Sequence, residues 1–326
     1  MEPMPDISFI IPVYNVSTYL RDFFSPFKFC TLSCEIIFVN DGSTDSSAEI
    51  LKLFAENDPR VIVLDKVNGG VSTARNHGIC YASGKFISCL DPDDILSPVF
   101  FKYIDFSIKN FNDVDTIVYR YEKFHDGKST EVLNNYDVDF SSFEYVPKKT
   151  LYTLHNYPWI RIVRRELYSD NLFPEGIIYE DSVTIPLLNA RAVKILRINA
   201  VLYHYRIRKD SLTNFNVLRN MELVTALSLL EERVEQFNEY RPSLYACVAH
   251  LSRSALITLY RTAKADSSSL ILSKNQEIIY RKFNRYSLST ILRCDANFSD
   301  KICFSLLKMN RIGFFCFKIL YKIISK

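Results

Sequence analysis

The sequence predicts an α/β fold: a mostly parallel sheet flanked by helices, followed by a helical C-terminal region. Three observations carry this. Short β-rich runs alternate with helix-like stretches over the first 120 residues, the pattern of strand–helix–strand units. Four of those runs stop at polar clusters: Tyr14-Asn15, Asn40-Asp41, Asn68 and Asp91/Asp93/Asp94. From about residue 216 the pattern changes to long helical stretches.

The elements follow in order. Ile7–Val13 and Glu35–Val39 are apolar runs of strand length, separated by a helix over Thr18–Lys28. Asp45 caps a helix over Ser46–Asn57, as short polar residues do at helix starts. Val61–Leu64 is a third strand, Ser72–Ala82 a helix stopped by Gly84, and Lys85–Leu90 a fourth strand. Ser97–Lys109 is helical and Val114–Tyr119 a fifth strand, before a polar, irregular stretch over 121–150. Trp159–Tyr168 and Ser182–Ala190 read as helices and Val193–Tyr205 as extended chain. Val217–Phe237, Ser243–Ala263 and Gln276–Tyr286 are the late helices.

At 326 residues, 48% hydrophobic and 24% charged, the composition excludes disordered, collagen-like and coiled-coil classes. Eight cysteines without a CxxC pair read as reduced, buried thiols rather than a disulfide framework or zinc site. The N-terminus lacks a basic region before its apolar run, and no uncharged stretch reaches the roughly 20 residues of a membrane span. A cytoplasmic location is therefore expected. Charge is divided: residues 1–215 carry 23 Lys+Arg against 28 Asp+Glu, and residues 216–326 carry 17 against 9. Segment 301–326 has six basic and no acidic residues. Lys308, Arg311, Lys318, Lys322 and Lys326 recur at helical spacing among phenylalanines and isoleucines, a pattern that suits an anionic membrane surface. The expected organisation is a catalytic domain over 1–215, a helical region over 216–300 and this basic amphipathic segment.

Ligands of open α/β sheets bind beyond the carboxyl ends of strands, and the polar clusters sit there. Asp91-Pro92-Asp93-Asp94 places three carboxylates in four residues; two can reach one hard divalent ion beside phosphate oxygens. Asp41 is a single carboxylate at a strand end, with Gly42 permitting close approach. Asn68-Gly69-Gly70 suits a phosphate-approaching loop, and Arg75 on the next helix could face the acidic cluster. Glu180-Asp181 could supply a general base. In Tyr203-His204-Tyr205-Arg206-Ile207-Arg208, Arg206 or Arg208 could neutralise a departing phosphate and His204 could complete a metal shell.

In combination these motifs resemble a family 2 nucleotide-sugar glycosyltransferase of the GT-A fold, a Rossmann-like architecture, of the type used in bacterial polysaccharide assembly. The match runs from Ile10-Ile11-Pro12-Val13-Tyr14-Asn15 through Val39–Asp45, Asn68–Asn76 and Asp91–Asp94. Trp159, Phe173-Pro174-Glu175-Gly176, Glu180-Asp181 and Tyr205-Arg206 to Ser211-Leu212-Thr213 extend it. The resemblance implies that Pro12, Val13, Tyr14, Asp41 and Asn68 line the pocket for the donor's base and ribose, with Asp41 reading uracil, and that Asn15 also binds the donor. Arg75 would support the diphosphate, and Arg206 and Ser211 would hold it in a closing loop. Asp91 and Asp93 would bind Mn²⁺ or Mg²⁺, with Asp93 in direct contact. Asp181 would deprotonate the acceptor hydroxyl, and Glu180 would position donor or acceptor.

Two departures stand out. Pro92 replaces the small residue usual between the aspartates, and the Gln-x-x-Arg-Trp motif of processive synthases is absent. The expectation is an inverting, metal-dependent transferase taking a sugar from a nucleotide-sugar, a UDP-sugar, to a glycan or lipid-linked glycan. It would lie peripherally on an anionic membrane through 301–326, with no nucleic-acid partner. A sugar-nucleotide pyrophosphorylase would want a Gly-rich loop after the first strand, where Pro12-Val13-Tyr14-Asn15 stands instead. A non-catalytic nucleotide-sugar-binding or membrane scaffold protein would bind UDP without turnover.

Overall fold

The computed structural model describes residues 4–126, 139–208, 222–235, 244–251 and 293–308, with isolated positions from 242 to 289. It divides into two compact units. The first holds Met1–Val146, Tyr157–Gly176 and Arg191–Asn214; the second holds Pro147–Asn156, Ile177–Ala190 and Phe215–Lys326. The division at 215 and the packing division thus differ in two segments. Val183, Leu187 and Ala190 share a buried cluster with Leu223, Leu227 and Leu230, which explains why 177–190 belongs to the helical unit.

The first unit is built on one sheet. Its strands are β1 (Ile7–Val13), β2 (Cys34–Asn40), β3 (Val61–Asp65), β4 (Phe86–Cys89), β5 (Ile95–Leu96), β6 (Thr116–His125), β7 (Phe143–Tyr145), β8 (Arg161–Arg164) and β9 (Ile195–Ile207). The order is β3-β2-β1-β4-β8-β6-β9-β5, with β7 also pairing β9. β1, β2, β3 and β4 are mutually parallel. β8 is antiparallel to β4 and β6, β9 is parallel to β6, and β5 and β7 are antiparallel to β9. Six of the nine described strands therefore run one way.

β1 and β2 are buried along their whole length, which is why they read as unbroken apolar runs. Alternation divides β1 between two layers. Phe9 faces a phenylalanine core, with ring centroids 5.3 Å from Phe27 and 5.9 Å from Phe101, both edge-on. Ile10 faces helix α3 (Val71–Tyr81). There Gly78 permits close approach: a Cβ on it would lie 2.5 Å from Ile10 Cγ2. The other helices of this unit are α1 (Ser17–Phe24), α2 (Ser47–Asn57) and α4 (Phe100–Asn110). Pro26 opens a 3-10 turn over Ser25–Phe29, so the first helix stops short of Lys28. Cys30 and Cys34 sulfurs lie 3.8 Å apart as free thiols.

Several expectations need correction. The stretch Trp159–Tyr168 is not a helix. It is a 3-10 turn (Pro158–Ile160), strand β8 and a second 3-10 turn (Arg165–Tyr168). Trp159, Ile162 and Leu167 mimic a helical period, but β8 gains ladder partners on both sides and tertiary pairing prevails. β6 continues to His125, into the stretch expected to be irregular, because it pairs with β9 throughout. Ser46 takes the cap position of α2, while Asp45 Oδ1 still accepts from Ser47 N at 3.0 Å.

In the second unit, α5 (Asp181–Arg191) contributes its residues up to Ala190, alongside α6 (Glu222–Glu235) and α7 (Phe298–Lys308). Asp300, fully buried, meets Arg253 and His250, each at 3.2 Å. The expected helix over 276–286 lies outside the described residues, as do Ser211 and positions 309–326 of the basic segment. Among the described residues, no helix is long and apolar enough to cross a membrane.

Candidate active site

Four parallel strands deliver four polar turns to one edge of the sheet. Asp41, just beyond β2, is 3% exposed. Its Oδ1 accepts from Lys66 Nζ at 2.5 Å and Gly69 N at 3.0 Å, and its Oδ2 from Gly70 N at 2.8 Å. Its own carbonyl accepts from Asn68 Nδ2 at 2.9 Å. Asp41 therefore pins the loop leading into α3. Lys66 completes the latch by donating to Val67 O and Thr73 Oγ1. Gly70 carries φ +90° at the cap of α3, a conformation that suits glycine. A carboxylate has about four acceptor positions; three are met here.

Asn15 ties the β1 and β2 turns together. Its φ is 52°, in the left-handed region that asparagine tolerates. Its Oδ1 accepts from Thr44 N at 2.8 Å and Asp45 N at 3.3 Å, and its own amide donates to Ser43 Oγ at 3.2 Å. Asp45 Oδ2 in turn accepts from Ser17 N at 3.0 Å. Burial alone would raise the Asp45 carboxyl; hydrogen bonds from Ser47 and Ser17 overcome it and hold it at about 2. Pro12 and Val13 are buried within β1, while Tyr14 stands half exposed at its end.

The acidic turn after β4 has two kinds of carboxylate. Asp94 points inward: it is 2% exposed and accepts from Tyr203 OH at 2.8 Å and Arg206 N at 2.7 Å. Burial pushes it well above the usual carboxylate range, and the charges of Asp93 and Asp91 add to this. Asp91 and Asp93 are partly buried, and each meets an arginine. Asp91 Oδ1 meets Arg75 Nη2 at 2.9 Å, and Asp93 Oδ2 meets Arg208 Nη2 at 2.7 Å. Asp93 is also raised, by burial first and then by Asp91. Arg75 is buried, with its guanidinium 5.5 Å from the Phe173 ring centre. The neighbouring Asn76 exchanges hydrogen bonds with the Phe173 main chain and donates to Glu175 Oε1 at 3.2 Å. The Asn68–Asn76 and Tyr203–Arg208 motifs are thus joined by contact to the acidic turn.

Oxygen-only donors suit a hard divalent ion, so the donor chemistry of Asp91 and Asp93 fits one, although each carboxylate meets an arginine here. His204 does not join them. Tyr203 and Tyr205 both stack on Trp159, at 4.7 and 5.3 Å, so His204 occupies the opposite face of β9. Its registered neighbours are Ile95 and Glu122. Burial pushes its imidazole down, with Glu122 opposing. Among the described residues, no three His, Cys, Asp or Glu side chains form a metal-holding group.

Arg206 is anchored more heavily than its sequence position suggests. Its Nε donates to Asp93 O at 2.6 Å and its Nη1 to Asp126 Oδ1 at 2.8 Å. Its guanidinium also lies over the Tyr19 and Phe124 rings. Glu180 and Asp181 belong to the second unit, at the start of α5. Tyr179, just before them, has φ 69°; such strain in a non-glycine residue clusters at functional sites. Sequence reasoning missed Lys66 and Tyr179, which stand in no recognisable spacing, and gave no role to Thr73 and Tyr203, which lie inside the motifs it singled out.

Among solved structures, Staphylococcus aureus TarS (residues 1–349) matches with TM-score 0.71 and 18% identity, covering 94% of this chain and 87% of that one. Its complex with UDP-GlcNAc matches with TM-score 0.67, 17% identity and 94% and 88% coverage. The architecture is the GT-A glycosyltransferase fold. The family model "Glycosyl transferase family 2" matches residues 8–172, and the chain belongs to that family. Among curated relatives, glycosyltransferase GlyA of Streptococcus pneumoniae serotype 4 is 31% identical over 64% of this chain and 31% of its own length. Minor teichoic acid biosynthesis protein GgaB of Bacillus subtilis is 32% identical over 63% of this chain and 23% of its own length. The chain thus spans a third or less of these two relatives.

Proposed function

We propose that this glycosyltransferase moves a sugar from a UDP-sugar to a hydroxyl of a glycan or lipid-linked glycan during cell-surface polymer assembly, with inversion at the anomeric carbon. The observation that carries the reading is the partly buried pair Asp91 and Asp93, held by Arg75 and Arg208 beyond the parallel strands. The UDP-GlcNAc complex of TarS, on the same fold, supports the donor class. The teichoic acid role in the name of GgaB supports the polymer.

Asp91 and Asp93 would hold Mn²⁺ or Mg²⁺. Such an ion, when bound, stabilises negative charge on a departing diphosphate. The chain's own groups do the rest. The Asp41 latch sets the Asn68-Gly70 loop, and the remaining acceptor position of Asp41 receives a base N–H. Asn15, Tyr14 and Asn68 border the same edge; Pro12 and Val13 shape it from within β1. Arg75 holds charge beside Asp91, and Ser211 and Arg206 serve the closing side. Asp181 takes the acceptor proton, an effect of about 10²–10⁴-fold, and Glu180 orients the acceptor. Attack from the face opposite the nucleotide needs no covalent enzyme intermediate.

Asp181→Asn tests the base assignment. Transfer to acceptor should fall by at least about a hundredfold, with UDP affinity unchanged. Near-normal transfer would reassign the base.

A further inference from the structure

Asp93 is an occupied carboxylate. The Arg208 guanidinium lies 2.7 Å from its Oδ2, with the two side chains 29% and 18% exposed. Any divalent ion held by Asp91 and Asp93 would sit within about 2.0–2.6 Å of carboxylate oxygens. Arg208 and that ion would then be like charges on one carboxylate, both competing for its lone pairs.

The three arginines of the turn differ in exposure. Arg75 is buried, with its side chain 6% exposed, and rests against Phe173. Arg206 is held by Asp93 O, Asp126 and two aromatic rings. Arg208 lies beyond Ile207, the last paired residue of β9, and its guanidinium is 5.5 Å from the Tyr19 ring centre. It is the most exposed of the three.

We propose that Arg208 is the resident counter-cation of the acidic turn, and that a divalent ion binds there by displacing it from Asp93. This rests on the proposed assignment of Asp91 and Asp93 as metal ligands. Metal-free protein is thereby spared a partly buried, unneutralised carboxylate. Metal binding releases a planar guanidinium, a group that matches phosphate oxygens bidentately.

The test is Mn²⁺ affinity, read by electron paramagnetic resonance or calorimetry at fixed pH and ionic strength, with and without UDP. Arg208→Gln should bind Mn²⁺ about three- to fivefold more tightly than the parent, the fold-change expected for losing one competing ion pair. A gain is expected, and structural damage would give a loss. Arg197→Gln removes a β9 cation paired with Glu144 and should leave the affinity unchanged. Asp93→Asn should abolish binding. In protein labelled with [¹⁵N]arginine, the Arg208 Nε signal, assigned by its absence in Arg208→Lys, should shift on Mg²⁺ addition with the same saturation curve. Equal Mn²⁺ affinity in parent and Arg208→Gln, or an Arg208 signal unmoved while Mg²⁺ binds, overturns the inference and leaves the metal assignment standing. No Mn²⁺ binding to either protein, even with UDP, overturns both.

Discussion

Replacing Asp41 by asparagine preserves shape and removes charge. In the structure, three donors converge on this carboxylate: Lys66 Nζ and Gly69 N on one oxygen, Gly70 N on the other. An amide has one acceptor oxygen and one NH₂. Its better orientation keeps the first two bonds and turns the NH₂ toward Gly70 N–H, donor against donor. The lost bond to a charged acceptor costs about 1.5–3 kcal/mol, and the weakened ion pair with the partly exposed Lys66 adds about 1 kcal/mol or less. The expected loss is about 2–4 kcal/mol, concentrated in the 66–70 loop. At 1.4 kcal/mol per decade, amide hydrogen exchange at Gly69 and Gly70 should accelerate by roughly thirtyfold to a thousandfold if the loop opens locally. Urea denaturation and exchange mass spectrometry would measure the two quantities. A loss below about 0.5 kcal/mol with unchanged exchange would refute the latch. Lys66→Met should reproduce the ion-pair part alone.

The Asp45 carboxyl sits at about 2, below its ordinary 3.8. A depressed acid contributes stability above its unfolded value and loses it as pH falls through the folded value. Asp45→Asn should therefore be less stable than the parent by about 1 kcal/mol at pH 7, and the gap should close between pH 4 and pH 2 in urea midpoints. A constant gap would discredit the reading. Removing residues 301–326 should release the protein from anionic liposomes, measured by co-sedimentation; equal binding by both forms would locate membrane contact elsewhere.

The parallel half of the sheet was legible because β1 and β2 are buried on both faces, so their sequences show unbroken apolar runs ending in polar turns. β8 was not. Arg161–Arg164 has charged ends and becomes a strand only between β4 and β6. The two-residue β5 exists only through its pairing with β9. The acidic turn could be found from spacing, but its internal division could not. Asp94 turns inward because Tyr203, more than a hundred residues away, supplies a hydroxyl. His204 looked like a ligand by proximity to Arg206, yet strand alternation turns it away. Lys66 escaped notice because a lone lysine after a strand has no signature until Asp41 lies opposite it.

We propose that the edge bearing Asp41, Arg75, Asp91 and Asp93 handles a nucleotide-sugar donor. The most direct test is UDP release from a panel of UDP-sugars with Mn²⁺, Mg²⁺ or EDTA, comparing the parent with Asp93→Ala, alongside UDP and GDP binding titrations. Metal-dependent release from one donor, abolished by the substitution, is the predicted result. Absence of release together with absence of UDP binding would contradict the claim.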